Sequence, residues 1–413
     1  MGVRIPARLR HTFRALRHRQ FRIYWLGQGV SVTGTWMQTM AQGWLVYRLT
    51  DSPLALGVLS AARFGPSLLG SPIAGVITDR FSRHRLVLLT QTLGLAQASV
   101  MAALTLAGVI EVWHVLLLAL LQGVVDTLDM PARQTLQVDL VGLDDLQSAV
   151  SLNSTAFNGG RMVGPAIAGM LVSMYGEGVC FLANALSYLA VLIALHSLRL
   201  GPGAVAGASS VRAELLEGVR FAWHERRVRR ILLAVSVTSC LGLSYSSLLP
   251  VFARDVLHGG ANGYGALLAG AGLGAIAGAL LVASRRQDGG TDALIALAQA
   301  GLGLGLLALA STRSLALAVT AMVFIGLAVA VQLATTNGLL QTTAPPALRG
   351  RVLSLYIWLF AGLAPVGGLA AGAAAESVGA AWTAAAAGVA CLVSALLAAA
   401  GAARRRAGGA VST

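Results

Sequence analysis

Long apolar runs, each bounded by a short polar gap, repeat along almost the whole chain. Twelve can be read, over roughly 23–47, 54–78, 86–109, 112–130, 149–174, 178–198, 231–252, 263–284, 293–311, 314–336, 352–374 and 380–402. An α-helix rises about 1.5 Å per residue and a bilayer's hydrocarbon core is about 30 Å thick, so each run has roughly the length of one spanning helix. The pattern predicts an all-α integral membrane protein with twelve transmembrane helices.

The longest polar interval, 200–230, divides these helices into two sets of six. It opens with Gly201-Pro202-Gly203 and then takes on helical periodicity. Val211, Leu215, Val219 and Trp223 fall on one side, and Arg212, Glu214, Glu217, Arg220 and Glu225 on the wet side. Sliding the chain by 203 positions sets Ser151-Leu152 on Ser354-Leu355, Gly164 on Gly367, Gly169 on Gly372 and Gly176 on Gly379. The expected organisation is therefore two pseudo-symmetric six-helix bundles. A basic cytoplasmic N-terminus (1–22) leads into the first bundle (23–199), a cytoplasmic linker (200–230), the second bundle (231–402) and a basic tail (403–413).

Composition agrees with a bilayer as solvent: 56% of the 413 residues are hydrophobic and only 11% charged, too few polar groups to cover a soluble fold. The net charge of +14 comes entirely from arginine, because the chain has no lysine. Nearly all arginines lie at the two termini and in every second gap; Arg48, Arg254 and Arg313 fall in the opposite gaps. The positive-inside rule then places both termini in the cytoplasm, as an even number of spans requires. The charge reads as topology and contact with anionic lipid headgroups, not as a nucleic-acid surface. The opening run Arg4, Arg8, Arg10, Arg14, Arg17, Arg19 and Arg22 is too long a charged region for a signal peptide and reads as a retained segment.

Several chemistries drop out. A retinal Schiff base and a Walker A phosphate loop both need lysine. Cys180, Cys240 and Cys391 lie far apart inside predicted helices and suggest neither a disulfide framework nor a metal site. The seven histidines fall in loops or near span ends, and no His-Glu-x-x-His run marks a membrane enzyme. No metal or organic cofactor is expected. Gly270, Gly274 and Gly278, like Gly301 and Gly305, repeat at four-residue spacing and predict close helix packing.

Candidate chemistry lies in polar stripes. Gln28, Ser31, Thr35, Gln38 and Gln42 share one face of the first helix, lining either a cavity or another helix. Gln122, Asp126, Asp129 and Arg133 share one face of the fourth. A carboxylate inside a span must be paired, wet or protonated, which makes Asp126 and Asp129 candidates for proton coupling, with Arg63 and Arg161 as intramembrane cations. An Asp126–Arg161 pair is an expectation; the alternative for Asp129 is that it merely begins a turn before Pro131. In the fifth helix Asn158 joins the candidate cavity lining. The second half holds no deep carboxylate or arginine and offers Tyr245, Gln332, Thr336, Asn337 and Tyr356, with Ser239 and Ser246. Trp36, Tyr245, Tyr356 and Trp358 on cavity faces would suit an amphipathic, aromatic or cationic compound, although such aromatics equally serve packing.

The gap after the second helix reads Gly75-Val76-Ile77-Thr78-Asp79-Arg80-Phe81-Ser82-Arg83-His84-Arg85. This G-x-x-x-D-R-x-x-R-x-R run resembles the signature loop of the major facilitator superfamily, with Ser82 in place of a common glycine. The resemblance implies that Gly75, Asp79, Arg80, Arg83 and Arg85 form a gating loop. Gly160, Gly164, Pro165 and Gly169 are similar to the G-x-x-x-G-P-x-x-G-G motif of proton-coupled exporters of that superfamily, with Ala168 at one glycine. Ala119 stands where those exporters carry an arginine, so Asp126, Asp129 or Arg161 would have to supply the coupling. Asp129-Met130-Pro131-Ala132-Arg133-Gln134 and Arg349-Gly350-Arg351-Val352 resemble a bacterial branch of enterobactin-exporter-like and macrolide-efflux-like proteins. What this resemblance implies is a monomeric secondary transporter exporting a small organic molecule against protons by alternating access. Uptake by proton symport is the alternative; from other classes, a non-transporting receptor or lipid scramblase.

Overall fold

A computed structural model describes residues 13–198, 220–285, 291–345 and 348–409, with backbone alone at 71–73, 75, 76, 79, 80 and 401–409. Most of the expected linker helix, including Val211, Arg212, Glu214, Leu215, Glu217 and Val219, lies outside the described residues. Of its remainder, Trp223 is exposed on a short helical stretch, and Arg229 stacks on its ring at 5.8 Å.

After a short 3-10 turn at Arg14–Arg17 the helices are α1 (Arg19–Thr50), α2 (Pro53–Arg80), α3 (Arg83–Leu106), α4 (Val112–Val141), α5 (Leu146–Tyr175) and α6 (Glu177–His196). They continue with α7 (Arg226–Val256), α8 (Gly260–Ser284), α9 (Thr291–Ser311), α10 (Leu315–Thr343), α11 (Arg349–Val378) and α12 (Ala380–Gly409). Among the described residues nine of these, α3, α4 and α6–α12, are long and apolar enough to cross a membrane. The others, α1, α2 and α5, match them in length. Side chains such as Leu69, Ile193, Leu297 and Trp382 stand 69–79% exposed, which suits a lipid-facing surface.

The chain forms two compact units, Met1–Leu45 with Leu69–Ser209, and Val46–Leu68 with Ser210–Thr413. The last turn of α1 and the first half of α2 thus belong to the second unit. Within the first, α3 packs on α6; within the second, α9 packs on α12, the equivalent pair 203 residues on. The repeat also reaches the backbone. Gly176 and Gly379 cap α5 and α11 at φ 80° and 89°, a region open to glycine, and join each helix to the next through one residue.

The glycines act by close approach. A Cβ on Gly274 would strike the Val323 carbonyl, and one on Gly278 the Leu327 carbonyl, so α8 lies flush on α10. Helix α7 departs from regularity at two π turns, Thr238–Gly242 and Phe252–Val256, where Leu243 N–H donates to the Thr238 carbonyl at 2.8 Å and Leu257 N–H to that of Phe252 at 2.9 Å.

Candidate functional site: a buried ion pair on α4

Pro131 was expected to end the fourth helix; instead α4 continues through it to Val141. Proline removes one helical donor, and the packing of this bundle tolerates the loss. Asp129 therefore sits within the helix, not at a turn, and only 8% of it is exposed. One of its carboxylate oxygens accepts from Thr90 Oγ1 at 2.6 Å and Gln91 Nε2 at 2.9 Å, both on α3. The other pairs with Arg133, one turn further along α4. Tyr24 of α1, 1% exposed, lies beside Arg133. A buried carboxylate with two neutral donors and one cation is a satisfied charge, since desolvation is offset by pairing and hydrogen bonds.

Asp126, three residues earlier, is half-buried and accepts from Gln122 Nε2 at 2.8 Å. The expected Asp126–Arg161 pair does not form. Arg161 instead stacks on Trp36 at 5.7 Å, and Trp36 is held edge-on by Phe157 at 5.6 Å, one turn before Arg161 on α5. Arg63, in the second unit, lies 5.8 Å from the Phe64 ring.

The α1 stripe meets other helices. Gln28, Ser31, Gln38 and Gln42 are each at most 5% exposed, and Thr35 is half-buried. Gln38 Nε2 donates to Gln97 Oε1 at 2.9 Å, and Gln38 Oε1 accepts from Asn184 Nδ2 at 2.7 Å. Of the two expectations for this stripe, interhelical bonding is what these distances describe. Gln122 is likewise buried; Asn158 is half-buried and donates to the Ser154 carbonyl on its own helix.

In the second unit Gln332 and Thr238 bond each other at the first π turn, with 2.8 Å from Nε2 to Oγ1, and Thr336 is fully buried. Ser239 donates to the Phe360 carbonyl. Tyr245 and Tyr356 are buried, and Asn337 accepts from Gln341 on α10. Placing these as an open wall gives way to helix packing, because a polar stripe in an apolar span has the same spacing in either role.

The expected gating loop is mostly helix: α2 runs to Arg80, α3 begins at Arg83, and only Phe81 and Ser82 lie between. Gly75, Asp79 and Arg80 are described as helical backbone alone. Arg83 donates to Asp139 near the end of α4 at 2.8 Å, and Arg85 is exposed. In the α5 motif, a Cβ on Gly160 would meet Val32 at 2.8 Å and one on Gly164 the Thr33 carbonyl at 2.8 Å, so these residues bring α5 against α1. Pro165 and Gly169 are buried in the same helix.

The sequence reading missed a second cluster. Tyr47, at the end of α1, hydrogen-bonds Asp255 on α7. Arg254 pairs with Asp51 at 2.7 Å and Asp255 at 2.8 Å. Of these residues only Arg254 stood out in the sequence, as an arginine in an opposite gap.

The profile of the transmembrane secretion effector family matches residues 10–407. The chain belongs to that family. It is 27% identical over 358 residues to the multidrug efflux pump Tap of Mycolicibacterium fortuitum, covering 84% of this chain and 87% of that one. Similarity to the enterobactin exporter EntS of Shigella boydii is 24% over 345 residues, 82% and 81% of the two chains. The staphyloferrin A transporter of Staphylococcus aureus is 26% identical over 250 residues, 60% of this chain, and the match spans 63% of that relative's length. Among solved structures the nucleoside transporter NupG superposes with a TM-score of 0.73 at 14% identity, covering 93% of this chain and 99% of that one. A bacterial Spinster homologue follows at 0.65 and 18%, with 93% and 95% covered. At those identities the structures show the fold alone, that of the major facilitator transporters. The family and its named relatives are multi-pass membrane transporters, not enzymes.

Proposed function

We propose that this protein exports a small amphipathic organic compound from a bacterial cytoplasm in exchange for protons, by alternating access. It crosses the cytoplasmic membrane twelve times with both termini inside, surrounded by anionic lipid, and acts as a monomer. The buried Asp129 carboxylate, balanced by Arg133, carries the reading. Arginine stays charged in any environment, so protonating Asp129 leaves Arg133 without its counter-ion and favours a different arrangement of α4. That makes proton uptake and conformational change one event. Relatives named as efflux pumps and exporters support the outward direction.

The test is ethidium efflux from energised cells producing the wild-type chain or Asp129→Asn. An uncoupler should stop efflux by the wild type, and the variant should lose roughly tenfold in rate, equivalent to about 1.4 kcal/mol on the barrier. Full efflux by Asp129→Asn in the absence of uncoupler would defeat the assignment of coupling to this residue.

A further inference from the structure

The interior of the first unit contains more unspent polar atoms than helix packing requires. Gln42 Nε2, Gln91 Oε1, Gln97 Nε2 and Gln122 Oε1 are all buried without a protein partner, on residues no more than 4% exposed. Buried polar groups without partners are rare and costly, so four inside one unit is a pattern. Rotating the amides does not cure it. Gln38 is held by Gln97 at one atom and Asn184 at the other, and a turned Gln97 would oppose two donors.

Bonds and helix spacing set these residues in order through the unit. Asp129 accepts from Gln91; six residues along α3, a rise of about 9 Å, stands Gln97. Gln122 donates to Asp126 and approaches the Tyr188 hydroxyl at 3.4 Å. Tyr188 lies one turn beyond Asn184 on α6, and its ring rests on Gly94, midway between Gln91 and Gln97, where a Cβ would come within 2.7 Å. Asn184 returns the series to Gln38, and Gln42 is the next turn of α1. Unpaired donors and acceptors both occur, as a file of hydrogen-bonded waters requires, each water bonding about three neighbours.

We infer that a water-filled track runs inside the first unit from Asp129 to Gln42, between α1, α3, α4 and α6, and carries the coupling proton apart from the transported compound. This rests on the proton-coupled reading above. A proton arriving along the waters neutralises the Asp129 carboxylate; on return the same O–H bond breaks and the proton passes to the next water, leaving the carboxylate. Arg133 keeps its own protons throughout. The other titratable groups facing the line are Asp126, Tyr24 and Tyr188.

Hydroxyl-radical footprinting of the full chain in lipid nanodiscs tests the water directly, since radicals born on an internal water oxidise its neighbours. Tyr188, 3% exposed, and Met101, one turn past Gln97 and fully buried, should be oxidised at least roughly tenfold faster than the fully buried Met322 of the second unit. Gln97→Leu should bring Tyr188 down to the Met322 level. Equal rates at Tyr188, Met101 and Met322 in the wild type would overturn the track. In proteoliposomes, Gln97→Leu should lose about tenfold in ethidium transport driven by a pH gradient, as one lost relay contact on the barrier would give, while ethidium exchange at equal pH persists as proof of folding. Gln97→Asn should restore part of the drive. Full drive in Gln97→Leu would overturn the proton role of the track. A wild type hydrated by footprinting yet indifferent to the gradient would instead overturn the proton-coupled reading itself.

Discussion

Arg254 lies over the ring of Tyr47, its guanidinium carbon 4.1 Å from the ring centroid, while the Tyr47 hydroxyl bonds Asp255, the residue next to Arg254. One cation thus ties a ring and two carboxylates, Asp51 and Asp255, in the second unit. Asp51 is 74% exposed, so its ion pair contributes little, whereas the stacked contact is partly shielded from water. Arg254→Gln should cost about 1–2 kcal/mol and Asp51→Asn under about 0.5 kcal/mol in thermal unfolding of the purified protein. A cycle combining Tyr47→Phe with Arg254→Gln should show coupling, because Asp255 is shared.

Removing Arg133 alone should cost more stability than removing both charges together. Arg133→Ala leaves Asp129 buried with two neutral donors and no cation, a change worth about 3–5 kcal/mol. Asp129→Asn with Arg133→Ala should recover much of that stability, since both charges then disappear together. Arg133→Lys should not match the wild type, as an ammonium lacks the planar fork. Melting temperatures of the four proteins decide this; a double variant no more stable than Arg133→Ala would argue against a mutually dependent pair.

Much of the fold was legible because it follows from length and periodicity. Spanning length and the 203-residue offset need only one-dimensional information, and the offset reappears at Gly164 on the Thr33 carbonyl and Gly367 on the Cys240 carbonyl. Partner choice was not legible. The Gln28–Gln42 stripe has helical spacing whether it faces water or a neighbouring helix, and only the nearness of Gln97 and Asn184 separates the two. Asp129 was singled out but given no partner, because Pro131 reads as a stop signal and Arg133 then falls outside the span. The π turns of α7 have no periodic signal at all, since one inserted residue leaves an apolar run apolar.

The same carbonyl contact makes glycine replacements strongly position-dependent. A Cβ at Gly367 would run into the Cys240 carbonyl inside the first π turn of α7, and backbone cannot retreat as a flexible side chain can. Gly367→Ala should destabilise by about 3 kcal/mol or prevent accumulation in the membrane. Gly338→Ala, on α10 with nothing within 4 Å of the added carbon, should instead stabilise by about 0.8 kcal/mol through helix propensity. Folded yield by size-exclusion profile, followed by melting temperature, separates these outcomes.

The N-terminal turn is held by a charge whose titration can be read from outside the membrane. Asp145, just before α5, meets His18 at 2.9 Å and Arg14 at 3.1 Å, and Ala15 N–H donates to Ser148 Oγ at 3.0 Å. The His18 hydrogen bond, aided by the positive charge of Arg14, holds the Asp145 carboxyl below its ordinary value. A lowered value in the docked state means that docking is favoured fully above the undocked value of about 3.9 and loses that contribution as pH falls through the docked one. Asp145 should therefore add no pH dependence to docking between neutrality and about pH 5, with release beginning only below about 4. Trypsin can cut at Arg14 and Arg17 once the turn is free, so a pH-jump followed by brief proteolysis at neutral pH reports the released fraction. Asp145→Asn should raise that cleavage near neutrality toward the acid level of the wild type and so flatten its acid rise, while Ser148→Ala should raise it and leave the acid rise in place.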